Sequence, residues 1–437
     1  MSIRRLLLVA AALPAVALAH DHPRNPPRLV PVGAYSTGLG ALGSEILSVR
    51  ERGALAALTN VAGSVDLLDL SDPAVPVLIR RIAVDTSAGT PNSVALHPEE
   101  DYLLVVTGRA GVQGAILAYA LDGTLLATAT AGIQPDSVAI GPGGRHAVVA
   151  NEAEGVGPGD AGGPGSITIV DLEDFEVEHP ALRVRQVALP SAVGFPGFST
   201  GRTDDLARLP IDNSPDTLEP ESIAFAPSGR YAYVTLQENS GVARVELRTG
   251  EIRYFGLGQT THAADLSTAD ASYLPTSTLT AFREPDGIAV DPTGRFLVTA
   301  DEGDTRNATG ASGPRGGRTV SVFDARTGAL LGDTGSQLDD WAALAGIYPD
   351  GRSSRGGSEP EVLDLATFRG RTLVAVGLER ANALALVDVT DPARPTVVDL
   401  ELVGAAPEGV KFFRRGDRLL VATANEADGT VSVLQVR

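Results

Sequence analysis

The chain has 437 residues, a formal net charge of -19 and no cysteine. The absence of cysteine excludes disulfides, thiolate metal ligands and thiol catalysis, so the fold must depend on packing or on bound ions. The strongly acidic charge disfavours nucleic acid and anionic lipid as partners and favours cations. Lys411 is the only lysine, so the basic charge is almost entirely arginine.

The first residues have the pattern of a secretory signal peptide. Arg4 and Arg5 precede an apolar run at 6–16, and Ala17-Leu18-Ala19 is a small-x-small cleavage pattern. The apolar run is too short to span a membrane, and residues 431–437 contain no apolar anchor. We therefore expect a signal peptide at 1–19 and a single domain at 20–437, periplasmic or secreted, monomeric and without a membrane anchor.

One unit recurs along the rest of the chain. It consists of a proline followed by an acid or amide, a β-branched run, a Pro-x-Gly-type turn, and then a second and a third apolar run. The seven starts are Glu45 in a degenerate form, Pro91-Asn92, Pro135-Asp136, Pro220-Glu221, Pro285-Asp286, Pro360-Glu361 and Pro407-Glu408. Short strands in a repeat of this length predict an all-β fold, a seven-bladed β-propeller.

The last unit contains only three apolar runs, whereas residues 28–35 form an orphan strand before the first unit. Pairing the two would complete a four-stranded blade and remove an exposed edge, so we expect 28–35 to lie beside 430–436. A helix is expected only near 338–345. The Gly-, Pro- and Asp-rich insertions that lengthen the repeat are 153–165, 190–217, 258–282, 303–317 and 332–358.

The acids of the repeat are expected to converge on one face. In a blade, the inner strand begins where the second strand ends, so residues at both positions should surround the mouth of the central channel. The expected inner ring is Glu45, Asn92, Asp136, Glu221, Asp286, Glu361 and Glu408. The expected neighbours from the ends of second strands include Glu152, Asp301, Glu302, Glu379, Asn425 and Glu426.

Clustered carboxylates repel one another, and a hard, oxygen-preferring cation such as Ca²⁺ relieves that repulsion. The predicted metal ligands are Glu45, Asp136, Glu221, Asp286, Glu361, Glu408, Glu152, Asp301 and Glu302. The predicted ligand-binding residues are Arg283, Arg380, Glu379, Asn425 and Glu426, because an arginine beside such acids can bind an anion. Three alternatives stay open: the acids stabilise turns around a water-filled channel, they act in acid–base catalysis, or the arginines only hold the ring together.

Four stretches resemble the choice-of-anchor I family: residues 218–238, 283–306, 358–380 and 406–433. The resemblance covers nearly the whole chain after residue 19 and implies an exported β-propeller. The family includes relatives of a mesenchyme-specific surface glycoprotein, which are linked with calcium handling, and some members are described as alkaline-phosphatase-like. The propeller phytases, which hydrolyse phosphate esters with calcium, are a more distant analogy.

The sequence therefore leads to one main functional hypothesis and two alternatives. The main hypothesis is an exported propeller that binds a divalent cation, Ca²⁺, and a ligand at its acidic face. The first alternative is a metal-dependent phosphoesterase that uses the same face. The second is a structural extracellular interaction module.

Overall fold

The computed structural model describes residues 26–51, 54–153, 165–178, 180–189, 209–210, 218–269, 272–303 and 316–437. Within these residues, seven four-stranded antiparallel sheets are arranged as the blades of a β-propeller, as predicted. The expected signal peptide at 1–19 lies outside the described residues. No helix in the described part is long and apolar enough to cross a membrane.

Each of the first three blades is formed by four consecutive strands, which run in sequence order from the inner to the outer edge of the sheet. Blade 1 contains β2 (Leu47–Arg50), β3 (Leu55–Asn60), β4 (Ser64–Asp69) and β5 (Val77–Ala83). Blade 2 contains β6 (Thr90–Leu96), β7 (Tyr102–Arg109), β8 (Val112–Ala120) and β9 (Leu125–Ile133). Blade 3 contains β10 (Pro135–Ile140), β11 (His146–Asn151), β12 (Ser166–Asp171) and β13 (Arg183–Ala188).

The next three blades follow the same order, and a separate hairpin lies between blades 4 and 5. Blade 4 contains β14 (Pro220–Phe225), β15 (Tyr231–Leu236), β16 (Gly241–Glu246) and β17 (Ile252–Gly256). The hairpin is β18 (Gln259–Ala264) and β19 (Ser277–Phe282). Blade 5 contains β20 (Pro285–Val290), β21 (Phe296–Asp301), β22 (Thr319–Asp324) and β23 (Leu330–Asp333). Blade 6 contains β24 (Pro360–Phe368), β25 (Arg371–Leu378), β26 (Ala383–Asp388) and β27 (Thr396–Leu402).

Blade 7 closes the ring with strands from both ends of the sequence. Its three inner strands are β28 (Pro407–Arg415), β29 (Arg418–Asn425) and β30 (Thr430–Val436), and its outer strand is β1 (Leu29–Ser36). Leu29 pairs with Val436 and Ser36 pairs with Thr430, so the predicted closure is confirmed. This pairing satisfies the backbone groups that would otherwise leave β30 as an open edge.

The core lies between the blades. One cluster, for example, joins Leu58 of blade 1 to Leu420 of blade 7, and another joins Val105 of blade 2 to Leu67 of blade 1. Each further pair of consecutive blades shares a cluster of the same kind. Because each strand contributes apolar side chains to both neighbours, its sequence is an almost continuous apolar run.

One α-helix, α1 (Gln337–Leu344), lies in the connection between blades 5 and 6, where the sequence predicted it. Leu338 and Ala342, four residues apart on one helical face, are fully buried in the cluster between those blades. The side-chain amide of Gln337 donates to the carbonyl oxygen of Pro395 over 3.2 Å and accepts from the amide of Val397 over 2.9 Å. The helix is thereby fixed to blade 6. Short 3₁₀ turns are at Gly40–Leu42, Pro142–Gly144 and Asp350–Arg352.

Every long connection emerges at the same end of the ring. Residues 152–165 and 302–318 join a second strand to a third strand, and residues 189–219, 257–284 and 334–359 join an outer strand to the next inner strand. Both kinds of connection leave and re-enter the ring at the end where the inner strands begin. Connections at the opposite end are shorter: the longest is 172–182, and several are tight turns such as Pro142–Gly144. We call the elaborated end the acidic face, because the acids described below lie there.

Candidate cation-binding site

In six of the seven blades, a β-bulge at the start of the inner strand places the acid or amide of the repeat, whereas β2 of blade 1 pairs with β3 without a register shift. In blade 3 the register shifts between Pro135 and Ser137, which makes Asp136 the extra residue. In blade 7 the shift follows Pro407 and makes Glu408 the extra residue. Blades 2, 4, 5 and 6 have a shift at the same place. A bulge bends the strand and redirects its side chain, and here it turns the acids into the channel.

A strained turn precedes the bulge in several blades. Gln134, Glu284, Glu359 and Ala406, each directly before the inner-strand proline, have φ values of 47°, 47°, 52° and 53°. Non-glycine residues in this region cost about 1–3 kcal/mol each. In compensation, the carbonyl oxygen of Glu359 accepts a hydrogen bond from the amide of Glu379 over 2.9 Å. The turn thus joins the start of the inner strand to the end of the second strand, and brings both acids to the channel mouth.

The channel is a cavity of about 930 Å³ that is lined by the inner strands of all seven blades. Its lining includes the complete predicted inner ring: Glu45, Asn92, Asp136, Glu221, Asp286, Glu361 and Glu408. Glu152, Glu302 and Glu426, which follow second strands, line the same cavity. The convergence of these two sets is therefore as the repeat predicted.

The closest carboxylates lie on the side of blades 5, 6 and 7. Among the described residues there are three groups of three acids in which one carboxylate oxygen of each member lies within 4.8 Å of the other two. The groups are Asp286, Glu302 and Glu361; Glu302, Glu359 and Glu379; and Glu361, Glu379 and Glu408. We call these six residues the carboxylate cluster. Oxygen atoms at this spacing can coordinate one cation together, and Ca²⁺ takes six to eight such ligands.

Burial and mutual repulsion raise the pKa of four acids of the carboxylate cluster, so these four hold their protons to higher pH than an ordinary carboxyl does. Burial, together with the charges of Glu379 and Asp286, raises the pKa of Glu408 to about 9. Burial likewise raises the pKa of Asp286 to about 7 and of Glu379 to about 7. The pKa of Glu361 is raised in the same way, first by burial and then by Glu408. A cation must displace these protons, and its charge would remove the repulsion that holds them.

The opposite side of the channel is acidic as well. Burial raises the pKa of Glu45 to about 8, and the charges of Asp136 and Glu426 contribute. The pKa of Glu221 is also raised, first by burial and then by Glu238. Raised pKa values therefore occur on both sides of the channel rather than in one pair of acids.

Several buried carboxylate oxygens in the ring have no hydrogen-bond partner. Glu379 is only 5% exposed, and its Oε2 has no partner in the structure. The buried Oε2 atoms of Glu45, Glu221 and Glu361 also lack a hydrogen-bond partner. A buried acceptor without a donor costs about 1–3 kcal/mol, so each of these atoms favours a ligand that it can coordinate.

Glu359 is a member of the cluster that the repeat pattern did not single out. It precedes Pro360 instead of following it, and it is 1% exposed. Its Oε2 accepts a hydrogen bond from Nε of Arg380 over 2.7 Å, and its Oε1 accepts one from Nε of Arg352 over 2.8 Å. The one available signal was its position before a proline, which it shares with Gln134 and Ala406.

Asp301 occupies a different place from the one expected. It is fully buried, and its carboxylate accepts hydrogen bonds from the hydroxyls of Thr299, Thr319 and Ser321. Asn425 has the equivalent role in blade 7, where its amide donates to Thr430 and Ser432. Both side chains fasten the second strand to the third inside the blade. The rest of the acid-dense stretch after residue 303 lies outside the described residues until 316.

The two predicted anion-binding arginines also differ from each other. Arg283 is 1% exposed, and its Nη2 donates to Asp333 over 2.8 Å, so it is enclosed at the edge of blade 5. Arg380 is 41% exposed and pairs with both Glu359 and Glu379. Arg380 alone of the two therefore borders the carboxylate cluster and is accessible to a ligand. Glu302 is also a member of the carboxylate cluster, and its Oε2 accepts a hydrogen bond from Nε2 of Gln237 over 2.6 Å.

Comparison with protein-family models decides the family. The model of the choice-of-anchor I domain matches residues 45–315 and 311–392, which is most of the chain. The chain belongs to the choice-of-anchor I family. This family suggests a surface or exported protein, and its match agrees with the resemblance seen in the repeat motifs.

Solved structures with the same architecture are distant in sequence. A chain of the Kuenenia stuttgartiensis hydrazine synthase matches with a TM-score of 0.56 and 12% identity, over 90% of this chain and 96% of that one. The β-propeller domain of Myceliophteria thermophila Cps50 (Swd1) matches with a TM-score of 0.56 and 11% identity, over 94% of this chain and all of that one. At these identities the likeness shows the fold alone. No curated protein matches the sequence significantly.

Proposed function

We propose that this choice-of-anchor I protein is exported and binds Ca²⁺, together with a ligand, at the acidic face. The observation that carries the proposal is the Oε2 atom of Glu379, which is buried, lacks a hydrogen-bond partner and belongs to a residue shared by two of the three carboxylate groups. Carboxylate oxygens are the ligands that Ca²⁺ prefers, and the donor set contains no nitrogen or sulfur that would favour a softer metal. A bound Ca²⁺ supplies positive charge and open coordination positions for an oxygen of the ligand.

The residues of the cluster fit a large, irregularly coordinated cation better than Mg²⁺. They come from three blades, and the three groups overlap in Glu302, Glu361 and Glu379, so the oxygens extend beyond one set of three ligands. Mg²⁺ requires near-ideal octahedral geometry and gives up water reluctantly, whereas Ca²⁺ tolerates irregular shells. Export agrees with this choice, because extracellular modules use calcium sites of low affinity.

Calcium titration of the purified protein tests the proposal. Ca²⁺ should raise the melting temperature, equivalent to about 2.7 kcal/mol at a hundredfold excess over Kd, and Mg²⁺ should raise it less. Glu361→Gln with Glu379→Gln should abolish the calcium effect. Asp391→Asn, an exposed acid that pairs with Arg394 away from the acidic face, is the matched control and should leave it unchanged. A melting temperature that responds to neither calcium nor chelator would favour the structural interaction module instead.

A metal-dependent phosphoesterase is the second candidate, and the exposed part of Arg380 is the observation that favours it. Its guanidinium borders the carboxylate cluster, where it could bind a phosphate oxygen beside a cation. Calcium-dependent hydrolysis of a phosphoester panel that is lost in Glu361→Gln would support this activity. Calcium binding without turnover on that panel would leave the binding protein as the function.

A further inference from the structure

A second polar pocket lies at the end of blade 4 that is opposite the acidic face. It has a volume of about 230 Å³ and lies among β15, β16 and β17. Four arginines line it: Arg230, Arg244, Arg248 and Arg253. Two glutamates line it as well, so the pocket carries a net positive charge in a chain whose net charge is -19.

Part of this pocket is a turn that the fold uses elsewhere. Glu246 accepts hydrogen bonds from the amide and the hydroxyl of Thr249 over 2.6 and 2.5 Å. In blade 5, Asp324 accepts the same two bonds from Thr327 over 2.8 and 2.7 Å. Each turn has the order acid-x-Arg-Thr-Gly. The turn therefore accounts for Glu246 and Arg248, and an ion pair of 3.4 Å with Glu246 accounts for Arg230. Neither explains Arg244 and Arg253.

Arg244 and Arg253 lie directly opposite each other across β16 and β17. Like charges in this position destabilise an antiparallel pair. The equivalent of Arg244 in blade 5 is Val322, which faces Gly332, so the fold does not require an arginine there. In blade 1 the cross-strand pair of charges is complementary, with Asp66 opposite Arg81. The arginine pair of blade 4 thus carries a cost that an anion between the two would remove.

Aromatic rings hold the guanidinium groups in place. Arg230 and Arg244 each lie 5.0 Å from the ring centroid of Tyr231, and Arg244 is also 5.6 Å from that of Phe255. Side chains that are already ordered lose less conformational entropy when they bind a ligand. Arg253 pairs with the exposed Glu251 over 3.1 Å, whereas no carboxylate among the described residues forms an ion pair with Arg244.

We propose that this pocket binds a tetrahedral oxyanion, phosphate or sulfate, as the free ion or as the terminal group of a monoester. Guanidinium groups match such oxyanions with paired hydrogen bonds, and they remain charged at any physiological pH. The arginines come from β16, from β17, from the turn between these strands and from the residue before β15, which suits a tetrahedral group better than a planar carboxylate bound by one fork. The pocket is separate from the carboxylate cluster, so its test does not depend on calcium.

Isothermal titration with inorganic phosphate, inorganic sulfate and phosphoserine tests the pocket. The titrations contain chelator, and chloride keeps the ionic strength constant. Saturable binding is expected, with a loss of affinity of about tenfold or more in Arg244→Gln and in Arg253→Gln. Arg394→Gln, an exposed arginine of blade 6, is the control and should bind as the wild type does. Tighter binding of phosphoserine than of inorganic phosphate would assign the pocket to esters, and the reverse would assign it to the free ion.

The melting temperature in chloride separates lost binding from lost folding. Arg253→Gln should melt no lower than the wild type, because the variant removes the repulsion with Arg244. Absence of saturable binding of all three probes to the wild type would overturn the proposal. An equal loss of affinity in Arg394→Gln would do the same, since it would reduce the effect to the general charge of the surface.

Discussion

The guanidinium of Arg380 lies 2.7 Å from Oε2 of Glu359, so a fixed cation already neutralises one edge of the carboxylate cluster. The side chain of Arg380 pairs with Glu379 as well, and Glu379 belongs to two of the three groups of acids. Arg380 thus competes for oxygens that a divalent cation would coordinate.

Arg380→Gln should therefore tighten calcium binding by about tenfold, equivalent to about 1.4 kcal/mol, because it removes this competitor. Isothermal titration with calcium measures the change. Arg371→Gln, in which the lost partner is Asp388 at the other end of blade 6, is the matched control and should not alter the affinity. Weaker calcium binding in Arg380→Gln would show that the arginine positions the ligands rather than competing with the ion.

The stability of the calcium-free protein should fall as pH rises. Glu45, Asp286 and Glu408 have folded-state pKa values raised to about 8, 7 and 9, so the folded protein holds more protons than the unfolded chain above the ordinary carboxylate pKa. The free energy of unfolding then decreases with pH over this range, from about pH 4.5 to about 9. Melting temperatures of the protein in chelator, measured between about pH 5 and about pH 9, test this dependence of stability on pH, because the raised pKa values lie in that range.

Calcium should flatten that pH dependence, because the bound ion replaces the protons. Glu408→Gln should flatten it as well, since the amide cannot ionise. A calcium-free protein whose melting temperature is constant or rises over this range would contradict the raised pKa values.

Asp301→Asn should be tolerated and should leave calcium binding unchanged. Blades 1, 3 and 7 have asparagine at the equivalent position, the end of the second strand. Burial raises the pKa of Asp301 to about 6, so the charged form is costly there and the amide avoids that cost. Asp301→Ala should instead lower the free energy of unfolding by about 1–3 kcal/mol, because buried hydroxyls lose their acceptor. Urea denaturation compares the two variants, and loss of calcium binding in Asp301→Asn would identify a metal ligand after all.

Removal of β1 should open the ring. A chain that begins at residue 37 lacks the outer strand of blade 7, including the two hydrogen bonds between Arg28 and Arg437. We expect a loss of several kcal/mol in the free energy of unfolding, since β30 becomes a free edge and Leu29 leaves the core. A chain that begins at residue 26 is the control. Equal stability of the two chains in urea would exclude a role of β1 in closure.

The sequence predicted the elements that depend on local pattern. Six starts of proline with an acid or amide, together with the degenerate start at Glu45, give the seven inner strands. The missing fourth strand of the last unit identifies the closure by 28–35. The hairpin β18–β19 was not predicted, because its two strands lie within 258–282, an insertion whose composition is typical of a loop. The helix α1 was recognised, since Leu338 and Ala342 have helical spacing.

The site was predictable at the level of the ring but not of the individual contacts. Pairing of second and third strands decides that Asp301 faces hydroxyls, and this depends on Thr319 and Ser321, which are distant in sequence. Glu359 is held in the cluster by Arg352 and Arg380, whereas Glu284, which has a similar positive φ before a proline, is not a member of it. Arg283 is enclosed through Asp333, which ends the outer strand of blade 5 and is 50 residues away in sequence. Each of these outcomes is set by long-range packing rather than by the repeat motif.

The one-sided placement of the long connections divides the molecule into a frame of blades and a rim of connections. The connection at 257–284 carries the hairpin β18–β19, which forms a sheet of its own, so the hairpin can change in length and composition without altering the strands of any blade. Grafting residues 259–282 from a relative would therefore change the surface of the rim while leaving all six residues of the carboxylate cluster in place. The connection at 334–359 does not have this freedom, because it contains Glu359 and the buried face of α1.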